Sequence, residues 1–158
     1  MDQYQKYSLF ALRIVLGWFF FYAGITKVMD PAWSAAGYLK AAKTFPALYQ
    51  WFASPDIIPV VNFVNEWGLT LLGISLILGI GVRLSSLLGA VLMLLYYFPI
   101  LQFPVVAPHA YIVDDHIIFI AALFVLGAFR AGRYWGLEKW CAGLPICRQF
   151  PVIRNWVG

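Results

Sequence analysis

An all-α integral membrane protein, built as a four-transmembrane-helix bundle with interfacial helices in its first outer loop, is the fold class that three observations predict. Of the 158 residues, 63% are hydrophobic and 11% are charged, whereas a soluble domain is about one quarter charged. The mean hydropathy is +0.79. Apolar runs at about 8–29, 59–82, 84–103 and 111–129 each approach the roughly 20 residues that cross a bilayer. Together they leave room for short connections only, so residues 1–158 form a single domain.

Residues 1–7 read as a short polar arm, and the first span follows. Within it Arg13, Gly17, Phe20, Gly24 and Lys27 recur at steps of four and three, which places both charges and both glycines on one helical face. An arginine in a membrane helix costs several kcal/mol unless it meets a partner or water, and small residues admit a close neighbour, so that face must point into the bundle. Lys6 ahead of an apolar run has the order of a signal peptide. Arg13 and the bulky aromatics within the run argue for a retained first helix instead.

Asp30-Pro31 reads as an N-cap with proline at the first helical position, opening a short helix to about Lys43. That helix and the segment from Phe45 to Phe52, interrupted by Pro46, carry Trp33, Tyr38, Tyr49 and Trp51 beside Lys40 and Lys43. Such a composition suits helices lying in the headgroup layer over residues 31–55. The second span bears Asn62, Asn65 and Glu66, and Asn62, Glu66, Leu69 and Gly73 are expected on one inward face. A tight turn at Arg83 leads to the third span, with Tyr96 and Tyr97 at its interfacial end and Pro99 and Pro104 bending or ending it. A loop with Pro108 and His109 precedes the fourth span, which opens on Asp114, Asp115 and His116. Asp114 suits a solvated helix cap. The tail, 131–158, is basic and aromatic and reads as membrane-hugging turns and short helices.

Orientation follows from the basic residues. Lys6, Arg83, Arg130, Arg133, Lys139, Arg148 and Arg154 fall on one side and Lys27, Lys40 and Lys43 on the other, so both termini are expected in the cytoplasm of a multi-pass plasma-membrane protein. The same topology explains the net charge of +4 without nucleic acid; the lipid bilayer is the expected partner. Counting rise along the helices puts Lys27, Asn62, Asn65, Glu66, Asp115 and His116 in one outer layer, with Arg13 nearer the inner side. Carboxylates beside an amine and an imidazole in a membrane form a setting for perturbed pKa values and proton exchange. The same charges also serve simply to pair and fix helix register, and Lys27 to Glu66 is the pair expected.

The chain contains no P-loop, dinucleotide fingerprint, haem-attachment signature or H-E-x-x-H, and neither metal nor haem is expected. Cys141 and Cys147 lack redox C-x-x-C spacing and are expected as free thiols in a cytoplasmic tail.

The order R-x-x-x-G-W-F-F-F-x-x-G-x-x-K-x-x-D-P, then E-W-G-L-T-L-L-G, G-x-x-x-R-L, D-D-H and A-G-R-Y-W-G-L-E resembles the DoxX/DoxD family from Leu12 to about Lys139, most closely its DoxD-like branch. That resemblance implies a four-helix membrane subunit of thiosulfate:quinone oxidoreductase, forming tetrathionate while reducing quinone beside a second small subunit. The resemblance points to Arg13, Lys27, Glu66, Asp115 and His116 as the positions matching the family's polar pattern; in a quinone-linked reading of those residues the catalytic groups would be Glu66, Asp115 and His116, with Glu66, or Asp115 together with His116, handling protons at the quinone oxygens. Arg13, Lys27, Asn62 and Tyr22 would bind quinone or an anionic substrate. Quinone is the implied cofactor, and a redox-complex subunit the implied protein partner. The alternative is a non-catalytic accessory subunit of a respiratory or other membrane complex, its polar layer fixing helix register.

Overall fold

The computed structural model describes residues 1–99, 103–107 and 109–143. Its longest helix, α1 (Gln3–Val28), starts earlier than the expected polar arm allows. Asp2 caps it: the Asp2 carboxylate accepts from Gln5 N at 2.8 Å while Gln5 Oε1 accepts from Asp2 N at 2.9 Å. This reciprocal arrangement satisfies backbone donors that a helix start otherwise leaves open. Next come two short helices, α2 (Ala36–Lys40) and α3 (Pro46–Phe52), followed by α4 (Ile58–Leu78) and α5 (Val82–Tyr97). A small antiparallel hairpin, β1 (Val105–Ala107) and β2 (Ala110–Tyr111), precedes α6 (Asp115–Ala128), a single 3₁₀ turn at Ala131–Arg133, and α7 (Glu138–Gly143).

Two expectations about the segment after α1 change. Asp30-Pro31 forms a turn instead of a helix start, because the Asp30 carboxylate accepts from Ala32 N at 3.0 Å and its carbonyl from Trp33 N at 3.0 Å. Pro46 does not interrupt a helix but occupies the start of α3, where its missing N–H costs nothing. The hairpin is a departure from an all-α chain.

Helices α1 and α4 are long and apolar enough to cross a membrane. The helices α5 and α6, with 16 and 14 residues, are apolar but span only about 24 and 21 Å, short of the roughly 30 Å hydrocarbon layer. The third and fourth predicted spans thus shrink: the residues after Tyr97 and before Asp115 that are described turn away from helix.

Antiparallel packing of α1 on α4 is the most extensive contact in the fold, followed by α5 on α6. Leu9, Arg13, Leu16, Gly17, Phe20 and Gly24 are buried on α1, the face that the sequence spacing indicates, with Lys27 half-buried at its end. On α4 the buried set is Asn65, Leu69, Thr70, Leu72, Gly73 and Leu76. The inward face therefore centres on Asn65, and Glu66 and Asn62 lie only half-buried at its edge. Close approach requires glycine at two places: a Cβ on Gly24 would fall on the Thr70 backbone nitrogen, and one on Gly73 on the Phe21 backbone nitrogen. With no hydrophobic drive between helices in lipid, such backbone proximity supplies the dispersion that holds them.

Apolar residues gather in two clusters. The larger joins α1, α4, α5 and α6 through Leu16, Phe20, Leu69, Leu76, Met93, Leu123 and Leu126, and the smaller joins α2 and α3 through Ala35, Leu39, Ala42, Tyr49 and Ala53. The smaller forms a roof over one end of the bundle. Gly73→Val should lower stability by about 2 kcal/mol or more through overpacking, whereas Gly37→Ala, where an added Cβ meets nothing within 4 Å, should change it by less than about 0.5 kcal/mol. Thermal melting in mild detergent compares the two.

Candidate functional site

Between the two apolar clusters lies a cleft of about 740 Å³. Its roof is α2 and α3, and its walls are the adjoining ends of α1, α4, α5 and α6. Tyrosines hang the roof from the bundle. The Tyr38 hydroxyl donates to Tyr96 O at 2.7 Å and the Tyr49 hydroxyl to Leu95 O at 3.0 Å, filling carbonyls that the last turn of α5 leaves without a helical partner. Burial, with Tyr49 and Asp114 nearby, pushes the Tyr38 phenol up to about 12, so it remains a donor. Asn62 holds the other side of the roof, its side chain accepting from Ala35 N at 3.0 Å and donating to Ser34 Oγ at 3.2 Å.

Polar groups in the cleft wall are few. Lys27 lies with Nζ 5.2 Å from the Trp33 ring centre and 5.9 Å from that of Tyr96, close enough for cation–π attraction. Glu66 is near enough to act on it electrostatically, but among the described residues the two make no ion pair within bonding distance. His116 Nδ1 lies 2.7 Å from Asp114 Oδ2, and its ring meets Tyr96 edge-on at 6.1 Å. The Tyr96 hydroxyl donates to Asn65 Oδ1, and Asn65 Nδ2 donates to Val61 O at 2.9 Å.

Of the residues singled out in the sequence, Lys27 and His116 line the cleft. Asp115 is exposed on the first turn of α6, while Asp114, besides capping that helix by accepting from Ile117 N at 3.2 Å, is the carboxylate that meets His116. Glu66 sits behind the wall, Asn62 serves the roof, and Tyr22 is exposed on α1 with its ring against Trp18. Asn65, which the sequence puts in the outer polar layer, and Tyr96, read there as interfacial, also line the cleft, although neither is among the candidate site residues. The i, i+4 register of Asn65 with Leu69 and Gly73 was the available signal for the first. Among the described residues, no three His, Cys, Asp or Glu side chains come together to hold a metal ion.

Arg13 is far from this cleft, at the opposite end of the bundle. It is fully buried, and its guanidinium donates to Ala131 O at 3.1 Å and Trp135 O at 3.0 Å. Gly136 and Gly79 pack directly on it. Glu138, also fully buried, adds an attractive charge. The carboxylate lies against Gly132, and among the described residues neither of its oxygens has a hydrogen-bond partner. Burial pushes the Glu138 carboxyl above the usual glutamate range, against the opposing pull of Arg133, Arg130, Arg83 and Arg13. Glu138 was legible as the only acid after Asp115, a lone carboxylate among basic residues. Cys141 is buried on α7, and Cys147 lies outside the described residues.

The DoxX family model matches residues 8–101, which takes in α1 from Ser8 onward and α2 through α5. The chain belongs to the DoxX family. Membership places it among membrane proteins of a redox-related kind. The DoxX match covers Lys27, Asn65 and Tyr96 but ends before Asp114, His116 and Glu138, so those positions rest on the geometry just described. Searches of curated proteins and of solved structures gave no match.

Because folded Glu138 keeps its proton to higher pH than the unfolded chain does, its stabilising contribution is complete below about 4.5, the ordinary value, and declines as pH rises through the elevated folded value. The melting temperature in detergent should therefore fall across that window, and Glu138→Gln should flatten the fall. A slope that the substitution leaves unchanged would refute the assignment.

Proposed function

We propose that the chain is a four-span, quinone-linked redox subunit of the plasma membrane, with both termini cytoplasmic, the cleft in the outer leaflet and electrons supplied by a partner protein. One observation carries this reading: a mostly apolar cleft lined by the Lys27 ammonium, the His116 imidazole with Asp114 behind it and the Asn65–Tyr96 pair, while the roof phenols of Tyr38 and Tyr49 donate to backbone carbonyls of α5. About 740 Å³ falls in the range of small-molecule sites. A flat ring with oxygens at opposite edges suits apolar walls furnished with separated donors, which Lys27 and His116 are. The asymmetry of the basic residues supports the orientation.

In this reading His116 would deliver a proton from Nε2 to a quinone oxygen, while Asp114 at Nδ1 fixes the orientation of the ring. Lys27 offsets negative charge as it develops on the other oxygen. Glu66, acting on Lys27 from behind the wall, tempers that positive field. In the DoxD-like version, oxidation of two thiosulfates to tetrathionate at the partner would supply two electrons, and a bound quinone would be their acceptor, with one of the two protons that it needs coming from His116 and the other from Lys27.

A structural subunit is the second reading. It is favoured by Arg13 and Asn62, both of which spend their hydrogen bonds on the chain's own backbone and loop. Titration of the protein in nanodiscs with a tail-less benzoquinone, followed by quenching of tryptophan emission, separates the two. His116→Ala and Lys27→Met should each weaken binding about tenfold, as expected for losing roughly 1.4 kcal/mol. Affinity unchanged in both variants would favour the structural subunit.

A further inference from the structure

The cleft has a mouth. Val60 and Val64 of α4 and Leu95 of α5 line it, yet they are 61%, 47% and 42% exposed, so the opening lies on the outside of the bundle between α4 and α5. These helices touch each other far less than α1 touches α4 or α5 touches α6. The exposed side chains around it are apolar, so in a bilayer the mouth would open toward lipid.

From Val64 a second, shallower depression of about 300 Å³ runs on along α4, bordered by Phe63, Val64, Trp67, Gly68 and Leu71. Val64 belongs to both hollows. These positions form one stripe of the helix, and it descends about 10 Å from Val64 to Leu71, away from the roof. Gly68 makes the notch: a Cβ there would find only Val64 Cγ1, at 3.9 Å, so the space beside it is open. The larger side chains around it, Phe63, Val64, Trp67 and Leu71, are all exposed, giving the groove aromatic and aliphatic walls.

We propose that this groove on α4 holds the hydrocarbon tail of the molecule whose ring occupies the cleft, so that the natural ligand is a long-chain amphiphilic quinone and not a small water-soluble one. The inference rests on the quinone reading above. A ring held between α4 and α5 must send its substituent out through the mouth, and the surface continuous with that mouth at Val64 is this groove. Dispersion against Phe63, Trp67 and Leu71, together with the lipid displaced from them, supplies the added affinity.

Gly68→Leu tests it, since the notch has room for the side chain without disturbing the α1–α4 contact. Wild-type and Gly68→Leu chains are titrated in identical nanodiscs with a benzoquinone bearing a decyl tail and with the same ring bearing none, so partition into lipid cancels in the comparison. The substitution should weaken the tailed quinone about tenfold and leave the tail-less ring unchanged. Equal affinities of the two proteins for the tailed quinone would overturn the tail site while leaving the cleft reading intact. No binding of either quinone to the wild-type chain would overturn both.

Discussion

Arg13 cannot reach water and cannot be left alone. A guanidinium carried on the inward face of a membrane helix must find acceptors within the protein, and in this chain they are carbonyls of the segment after α6. That requirement draws residues 131–138 under the bundle, and the neighbouring contacts follow from it. Leu137 N donates to Leu78 O at 3.0 Å, Trp135 stacks on Tyr7 at 4.9 Å, and Glu138 enters a closed site where, among the described residues, no hydrogen bond awaits it. A buried carboxylate without hydrogen bonds is costly by itself. Four arginines acting on it recover part of that cost. The basic end of the molecule is thus a plug made from its own tail.

Opposite chemistry prevails at the other end. There the polar groups are sparse, held against aromatic rings, and arranged around open volume instead of around backbone. Lys27 rests on Trp33 and Tyr96, His116 is steadied by Asp114, and the roof is suspended by phenols from the end of α5. One end consumes its polar groups in packing, and the other keeps them available to a visitor. That division is why the candidate site lies with Lys27 and His116 and not with Arg13, although both charges sit on one face of one helix.

Much of this was legible in the residues. The spacing of Arg13, Gly17, Phe20, Gly24 and Lys27 identified the buried face of α1, since a membrane helix has no other place for two charges and two glycines. Aromatic crowding between Trp33 and Phe52 indicated the short helices that became the roof. Less legible were matters decided by contact at a distance. Helical periodicity alone does not distinguish a face centred on Asn65 from one centred on Asn62 and Glu66, because the competing positions differ by a fraction of a turn and packing chooses between them. Asp114 and Asp115 are adjacent, and only the local geometry of the α6 cap shows which one turns toward His116. The union of Arg13 with the tail joins positions 118 and 122 residues apart, a pairing that no local pattern encodes.

The two apolar clusters are separate, and the smaller one belongs to α2 and α3 together with neighbours from α4 and α5. A molecule with one continuous core opens all at once, whereas one with two can surrender the lesser while the greater holds. Amide protons of α2 and α3 would then exchange with solvent through excursions far cheaper than global unfolding. Those of α1 and α4, locked where Gly24 and Gly73 bring backbones together, would wait for the whole bundle to come apart.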